Sequence, residues 1–246
     1  MTTQPEAARD RILGRLRSSL KEKRQLFRES VTNDLPTTPM TVYPPSDRLS
    51  LVESFGAKLT ELSGSFEAVQ RETGIAERIA SKVAEWIPNG GPAVTEVLSW
   101  APGELHVPRL EQTLAELNIA LFVPDDLQDQ QVIDHAASLA VGMTGVQAAF
   151  ANTGSVVLTA APGRSRIASL LPLHHLILVP LSKIYPTFED WLARLRTEGH
   201  LGTLVRESGQ IAFITGPSKS ADIELNLTLG VHGPKVVHAI VFDDKE

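Results

Sequence analysis

Apolar residues near the start of the chain recur at helical spacing. Within residues 9–28 they predict an amphipathic helix whose outer face is basic. A second helix is predicted to begin after a cap at Ser46 or Asp47. Its apolar stripe consists of Leu51, Val52, Phe55, Leu59 and Leu62. The proline-rich residues 30–47 are typical of an extended arm, so residues 1–63 are expected to form a helical front end.

From Gly64 onward, short β-prone segments alternate with helical ones. The predicted strands are FEAVQ, AVTEVL, IALFV, SVVLTA, HLILVP, IAFIT and KVVHAIVF. The predicted helices lie at 75–87, 108–118, 127–139, 165–171 and 188–198. This alternation favours parallel strands joined by crossover helices, and the nearly apolar strands favour a sheet covered on both faces. We therefore predict a three-layer α/β/α domain with a mostly parallel sheet over residues 64–246, preceded by an N-terminal helical extension.

The composition is that of a compact protein with a sizeable core, since 42% of the 246 residues are hydrophobic and 21% are charged. No apolar run approaches the roughly 20 residues that cross a bilayer. The best candidate, LLPLHHLILVPL, is interrupted by prolines and histidines. The first residues lack the apolar segment of a secretory signal. The sequence therefore predicts no membrane span and a cytoplasmic location.

Charge is distributed unevenly. The net charge of −6 argues against nucleic-acid binding, which depends on Lys and Arg contacts to phosphates. Residues 9–28 nevertheless hold eight Lys or Arg and two acidic residues, a net of +6, so the rest of the chain carries −12. This basic helix is interpreted as a solvated face, as a surface that docks an acidic partner, or as a contact for RNA or anionic lipid.

Cysteine is absent. The chain can therefore form no disulfide, no thiolate-ligated zinc site and no cysteine-ligated iron–sulfur cluster. We expect no cofactor to be bound by this chain.

Two glycine-proline loops near the end of the chain carry the candidate chemistry. GPSKS follows IAFIT, and GVHGP precedes KVVHAIVF. Both are expected beyond the carboxyl ends of parallel strands, where ligands gather in open sheets. Backbone amides, hydroxyls and an ammonium group suit a carboxylate or phosphate; otherwise the first loop is a capped turn. The predicted ligand-binding residues are Gly216, Pro217, Ser218, Lys219, Ser220, Gly230 and Gly233.

Acid and base candidates lie in the same region. Asp222 and Glu224 are two residues apart, which places them on one side of an extended segment, where paired carboxylates can share a proton. His232 lies between two glycines and could act as a general acid or base near neutral pH. Catalytic roles are predicted for His232, Asp222 and Glu224. The alternative is that all three only hold the loops by hydrogen bonds; no metal site is predicted.

Most of the other polar residues in the predicted domain are expected to have structural roles. His174 and His175 are adjacent in a predicted strand, so they must point to opposite faces and cannot chelate one ion together. His238 is expected to face the core or a helix. Thr144 is predicted to cap a short helix. Arg164 and Arg166 lie near a loop, where an Arg could hold a carboxylate through two hydrogen bonds; the alternative is a surface role in solubility.

Two segments, taken in order, carry a resemblance to a known family. They are GMTGVQAAFANTGSVVLTAAPGRSRIASLLPLHHLILVP and TGPSKSADIELNLTLGVHGPKVVHAIVFDD. Together they resemble the LUD domain family, and within it the lactate utilization protein C group. The clear match covers about residues 140–244, and its most specific part is GPSKSADIE followed by GVHGP. The family's TGT segment corresponds to Thr153, Gly154 and Ser155, which are added to the expected ligand-binding residues. Asn152 stands where the family commonly has an acidic residue.

The resemblance implies a fold similar to the NagB/RpiA/CoA-transferase-like α/β group. It also implies a part in oxidising L-lactate to pyruvate, as a non-redox subunit beside partner subunits that carry iron–sulfur clusters. A small anionic metabolite is then the expected ligand. The alternatives are a free-standing isomerase or acyl/CoA-handling enzyme, and a ligand-sensing regulatory module.

Overall fold

The structure is a computed structural model that describes residues 4–21, 47–69, 74–87, 94–221, 227–230 and 232–244. The chain separates into two compact units, residues 1–40 and 41–246. The described part of the first unit is helix α1 (Gln4–Lys21), which confirms a helix in the predicted segment as far as Lys21. The remainder of that predicted segment, and most of the proline-rich arm, lie outside the described residues.

The second unit contains the described strands and the remaining helices. In chain order the strands are β1 (Ser65–Val69), β2 (Thr95–Ser99), β3 (Ile119–Phe122), β4 (Val141–Thr144), β5 (Ala148–Phe150), β6 (Ser155–Ala160), β7 (His174–Pro180), β8 (Ile184–Tyr185), β9 (Gln210–Ile214), β10 (Lys219–Ala221), β11 (Leu227–Leu229) and β12 (Val236–Phe242). The helices are α2 (Arg48–Glu61), α3 (Ile75–Trp86), α4 (Leu110–Glu116), α5 (Gln130–Ser138), α6 (Phe188–Thr197) and α7 (Leu201–Glu207). Short 3-10 helices occupy Pro102–Glu104, Arg166–Ser169 and Leu181–Lys183.

Helix α2 begins where the sequence predicts it. The amide of Ser50 donates to the Asp47 carboxylate over 3.0 Å, which satisfies one of the free amides at the helix start. Its predicted stripe is buried at Leu51, Val52, Phe55 and Leu59. The helix packs on β1 so closely that a Cβ added at Gly56 would lie 2.0 Å from the Phe66 ring. Helix α2 is therefore part of the second unit, although its sequence pattern had grouped it with the front end.

The central sheet has six parallel strands in the order β1-β12-β7-β4-β2-β3. This confirms the mostly parallel α/β fold. On one face, Trp86 of α3 stacks on His174 with ring centroids 4.9 Å apart. On the other face, the carbonyl oxygen of Ala168 lies directly over Gly142. The sheet is thus covered on both sides, which explains why its inner strands are apolar throughout.

Part of the covering layer is a second sheet, with the order β8-β5-β6-β9. Strands β5, β6 and β9 pair antiparallel. The prediction that SVVLTA and IAFIT are parallel crossover strands was therefore wrong. Only residues 151–154 connect β5 to β6, and so short a connection permits antiparallel pairing but no crossover.

The predicted helix cap at Thr144 was also wrong. Thr144 ends strand β4, and Ala148 begins β5. All four residues of β4 are buried, so the strand lacks the polar alternation by which a half-exposed strand is recognised. Within the described ranges, no helix is both long and apolar enough to cross a lipid bilayer.

Candidate functional site

The two glycine-proline loops lie side by side. The Ser218 amide donates to the Pro234 carbonyl over 2.9 Å, and the Gly230 amide donates to the Ser218 carbonyl over 2.9 Å. These bonds adjoin the antiparallel ladder of β10 and β11, in which Lys219 pairs with Leu229. GPSKS and GVHGP, about fifteen residues apart in the sequence, are thereby joined by backbone hydrogen bonds, which do not depend on the identity of the side chains.

The loops do not lie at the predicted edge of the sheet. GVHGP precedes β12, so it lies at the amino end of the central sheet, and the Lys235 amide there donates to the Leu173 carbonyl just before β7. GPSKS follows β9, which belongs to the antiparallel sheet. The expectation of a site beyond the carboxyl ends of the parallel strands was therefore wrong. Apolar composition identifies a strand, but it does not show which sheet the strand joins or at which end of that sheet the adjacent loop lies.

One cavity of about 380 Å³ is lined by residues of both loops. This volume lies in the range of small-molecule sites. The polar side chains of its lining are Ser169, His175, Thr215, Ser218, Lys219 and His232. Apolar walls come from Leu170, Ile214, Phe213 and Val237. The side chains of Lys219 and His232 are exposed, so the ammonium group and the imidazole are accessible to a ligand.

Glycine is required at the two turns that shape this cavity. Gly216 has φ +87° and Gly230 has φ +79°, both in the left-handed region that side chains disfavour. A Cβ at Gly230 would lie 2.8 Å from the Lys235 Cβ. Gly233, directly after His232, has φ +154°.

His175 lies in the lining of the cavity and was missed as a candidate by the sequence analysis. Its side chain is 0% exposed. Its Nε2 lies 2.9 Å from Thr144 Oγ1, while its buried Nδ1 has no hydrogen-bond partner. Burial lowers the pKa of the imidazole to about 3, so the ring is neutral at ordinary pH. The signal that could have identified it is a polar residue within the otherwise apolar strand HHLILVP.

The other histidines of the sheet have structural surroundings, as predicted. His174 faces Trp86, on the opposite side of the sheet from His175. His238 is buried, with Nδ1 2.8 Å from Ser65 Oγ and Nε2 3.3 Å from Glu67. Burial lowers the pKa of His238 and outweighs the opposing effect of Glu67.

The segment from Thr153 to Ser155 is only partly connected to the cavity. Gly154 packs on α2, where an added Cβ would lie 2.4 Å from the Leu59 amide nitrogen. The Ser155 hydroxyl lies 2.8 Å from the Thr215 hydroxyl, and Thr215 is a cavity residue. Neither Thr153 nor Gly154 is part of the described cavity lining. The ligand-binding roles of this segment stay predictions, with Ser155 connected to the cavity through Thr215.

The remaining candidates cannot be placed. Asp222 and Glu224 lie outside the described residues, and the side chain of Ser220 is not described. Their predicted roles are therefore retained as predictions. Among the residues that the structure describes, no group of three or more His, Asp or Glu is arranged to hold a metal ion.

Arg164 is less exposed than a role in surface solubility alone would require. Its side chain is 19% exposed and contacts Glu104 over 3.1 Å. It lines two further cavities, of about 600 and 400 Å³. The second of these also contains Lys183, whose pKa is lowered, first by burial and then by the nearby charge of Arg194.

Residues 61–242 match the family model described as LUD domain. The chain is 39% identical to lactate utilization protein C of Exiguobacterium sp. over 120 residues, which are 48% of this chain and 51% of that protein. It is 32% identical to lactate utilization protein C of Macrococcus caseolyticus over 188 residues, 73% of each chain.

Several of these alignments span about half of the relative's length, as with the 52% covered in lactate utilization protein C of Halalkalibacterium halodurans. The fold is similar to the crystal structure of a DUF162 family protein from Deinococcus radiodurans, with a TM-score of 0.55 and 17% identity over 80% of this chain and 99% of that one. Since the family model matches residues 61–242 and a relative 32% identical is matched over 73% of its length, the chain belongs to the LUD domain family, within the lactate utilization protein C group.

Proposed function

We propose that this protein is a component of an L-lactate utilization system, in which it binds the carboxylate substrate or product and carries no redox centre of its own. The relatives named lactate utilization protein C support the connection with lactate. The family resemblance implies partner subunits that carry iron–sulfur clusters, and a chain without cysteine offers no thiolate to ligate such a cluster itself.

The observation that carries the proposal is the cavity between the two loops. Lys219 supplies an ammonium group, and Ser218 supplies a hydroxyl in the same lining. Both stabilise a carboxylate, and the lining also contains the apolar side chains of Leu170 and Val237, which suit a short carbon chain. His232 lies in the same lining, where a proton could be exchanged with a bound ligand. Catalytic roles for His232, Asp222 and Glu224 stay predictions.

Lys219→Met is expected to weaken the binding of L-lactate and pyruvate by about tenfold or more, since a charge-assisted hydrogen bond contributes about 1.5–3 kcal/mol. The change removes the ammonium group and retains most of the side-chain volume. Isothermal titration calorimetry on the full chain measures the affinities, and thermal unfolding with and without ligand provides a second measurement.

Lys235→Met is the matched control for Lys219→Met. It makes the same substitution on an exposed residue of the neighbouring loop, outside the described cavity lining. Its affinity for both ligands should stay within about twofold of the unaltered protein. If Lys219→Met and the unaltered protein bind L-lactate and pyruvate with equal affinity, the carboxylate does not bind in this cavity.

The basic helix α1 is proposed as the docking surface for an acidic partner subunit. Arg15 and Arg17 are exposed on it. Arg15→Glu/Arg17→Glu is expected to weaken a complex with the iron–sulfur subunits by at least tenfold at low salt, and the complex should weaken as salt rises. Size-exclusion chromatography of the purified proteins measures this. Arg109→Glu/Arg196→Glu, on the second unit, is the control with equal charge change. A complex insensitive to both salt and the α1 substitutions would show that α1 is only a solvated helix.

A further inference from the structure

A buried polar pair, Thr144 on β4 and His175 on β7, lies beside the loop cavity. Both side chains are 0% exposed, and they contact each other through Oγ1 and Nε2 at 2.9 Å. That contact leaves His175 Nδ1 buried without a partner, although His175 belongs to the cavity lining. His175 therefore lines the cavity with one ring nitrogen in contact with Thr144 and the other buried without a partner.

An unsatisfied buried nitrogen destabilises a folded protein, because it loses its hydrogen bonds to water on folding. The next residues of β7, Leu176, Ile177 and Leu178, are fully or almost fully buried apolar residues, so an apolar side chain is compatible with this strand. The contact with Thr144 satisfies one ring nitrogen only, so histidine leaves a buried nitrogen unpaired where leucine or phenylalanine would not. A ligand in the cavity is the natural partner for its free nitrogen.

The contact between His175 and Thr144 is compatible with either neutral tautomer of the imidazole. If Nε2 carries the proton and donates to the Thr144 hydroxyl, Nδ1 is an acceptor and suits a ligand hydroxyl. If the hydroxyl rotates and donates to Nε2, Nδ1 carries the proton and suits a ligand carbonyl. The low pKa of the buried ring keeps both tautomers neutral, so exchanging one for the other changes no net charge.

We propose that His175 Nδ1 is the specificity contact for the α-oxygen of a 2-hydroxy or 2-oxo carboxylate bound in the loop cavity, and that Thr144 is the positioning residue that lets the imidazole accept from a hydroxyl or donate to a ketone. The inference rests on the proposed function, since it takes a carboxylate in this cavity as given. The α-oxygen is the group in which L-lactate and pyruvate differ, so one site would bind both.

The first test compares L-lactate with propionate on the unaltered full chain. Propionate has the same carboxylate and carbon chain but lacks the α-oxygen. We expect propionate to bind about tenfold more weakly than L-lactate, because it cannot make the hydrogen bond that the α-oxygen makes to His175. Equal affinities for L-lactate and propionate would overturn the assignment of His175 while leaving the carboxylate site intact.

The second test removes the polar pair with the double variant Thr144→Val/His175→Phe, in which no buried nitrogen or hydroxyl is left unpaired. We expect its melting temperature to equal or exceed that of the unaltered protein, its L-lactate affinity to fall to the propionate level, and its propionate affinity to be unchanged. A purely structural role predicts the reverse: a lower melting temperature with the preference for L-lactate retained, which would overturn the proposal.

A single-variant pair keeps the test decisive if the double variant does not fold. His175→Asn retains a polar atom near the position of Nδ1 and should keep part of the preference for L-lactate over propionate. His175→Leu should lose that preference. An equal preference in both variants would overturn the role of Nδ1. If the unaltered protein binds neither L-lactate, pyruvate nor propionate, the proposed function itself fails, a result distinct from carboxylate binding without preference.

Discussion

Replacing Gly142 with alanine is expected to destabilise the protein by about 3 kcal/mol or more, enough to abolish a marginally stable fold. An added Cβ would lie 1.9 Å from the Ala168 carbonyl oxygen and 2.9 Å from Pro172 Cγ. The first of these atoms is backbone, so no change of rotamer relieves the overlap. The 3-10 helix at Arg166–Ser169 would have to move away from the sheet.

Gly142→Ala is expected to weaken ligand binding as well as to destabilise the fold. Gly142 pairs with His175 across β4 and β7, and Ser169 and Leu170, at and after the end of that 3-10 helix, line the loop cavity. Any Gly142→Ala protein that does fold should therefore bind L-lactate more weakly. Urea unfolding followed by circular dichroism gives the stability, and calorimetry gives the affinity.

Gly103→Ala is the control for this substitution. An added Cβ there would meet no atom within 4 Å, and Gly103 is not among the positive-φ glycines. It should change the free energy of unfolding by less than about 1 kcal/mol, with slight stabilisation from the stiffer unfolded chain. A Gly142→Ala protein as stable as Gly103→Ala would show that the close approach of the Ala168 carbonyl is not maintained in solution.

The second large effect is an acid-dependent loss of stability caused by His175. Burial lowers its pKa to about 3 in the folded protein, whereas an unfolded histidine has a pKa of about 6.5. Between these values the unfolded chain binds the proton and the folded protein does not, so stability rises with pH. The contribution is fully present above pH 6.5 and is lost as the pH falls toward 3. One proton linked in this way lowers the free energy of unfolding by roughly 3 kcal/mol between pH 7 and pH 4.

Urea unfolding at several pH values between 7 and 4 measures this dependence. Thr144→Val/His175→Phe is the comparison, because it removes the titrating ring without leaving its partner unsatisfied. His106 and His238 also have pKa values lowered chiefly by burial, and they add acid sensitivity of the same sign. Both remain in the double variant, so the difference between the two proteins isolates His175. Parallel pH profiles for the two proteins would mean that the ring is hydrated in solution and titrates normally.

The elements with strong local signals could be predicted from the sequence. Helix α2 begins at its Asp47 cap and buries the predicted stripe, because capping and periodicity act between residues at most four apart. Helix α3 was predicted at 75–87 and is observed at Ile75–Trp86. The opposite orientations of His174 and His175 follow from strand geometry in the same way.

The loops of the site could be predicted as loops, but their surroundings could not. The glycines, Lys219 and His232 were identified by residue type, and the backbone bonds of Ser218 to Pro234 and Gly230 were not foreseen. His175 was set aside because its chemistry depends on Thr144, 31 residues away. The close packing of Gly142 could not be predicted either, since its neighbour Ala168 is 26 residues away in the sequence.

The sequence by itself determined the fold class, the positions of most helices and strands, and the residue types that can meet an anion, since each depends on the local spacing of apolar, capping and turn residues. Only the tertiary structure decided which strands form the second sheet, that GVHGP lies at the amino end of β12, and that His175, a cavity residue, has one buried nitrogen without a partner. These features depend on contacts between distant segments, whose free energy comes from packing and pairing that no local pattern encodes.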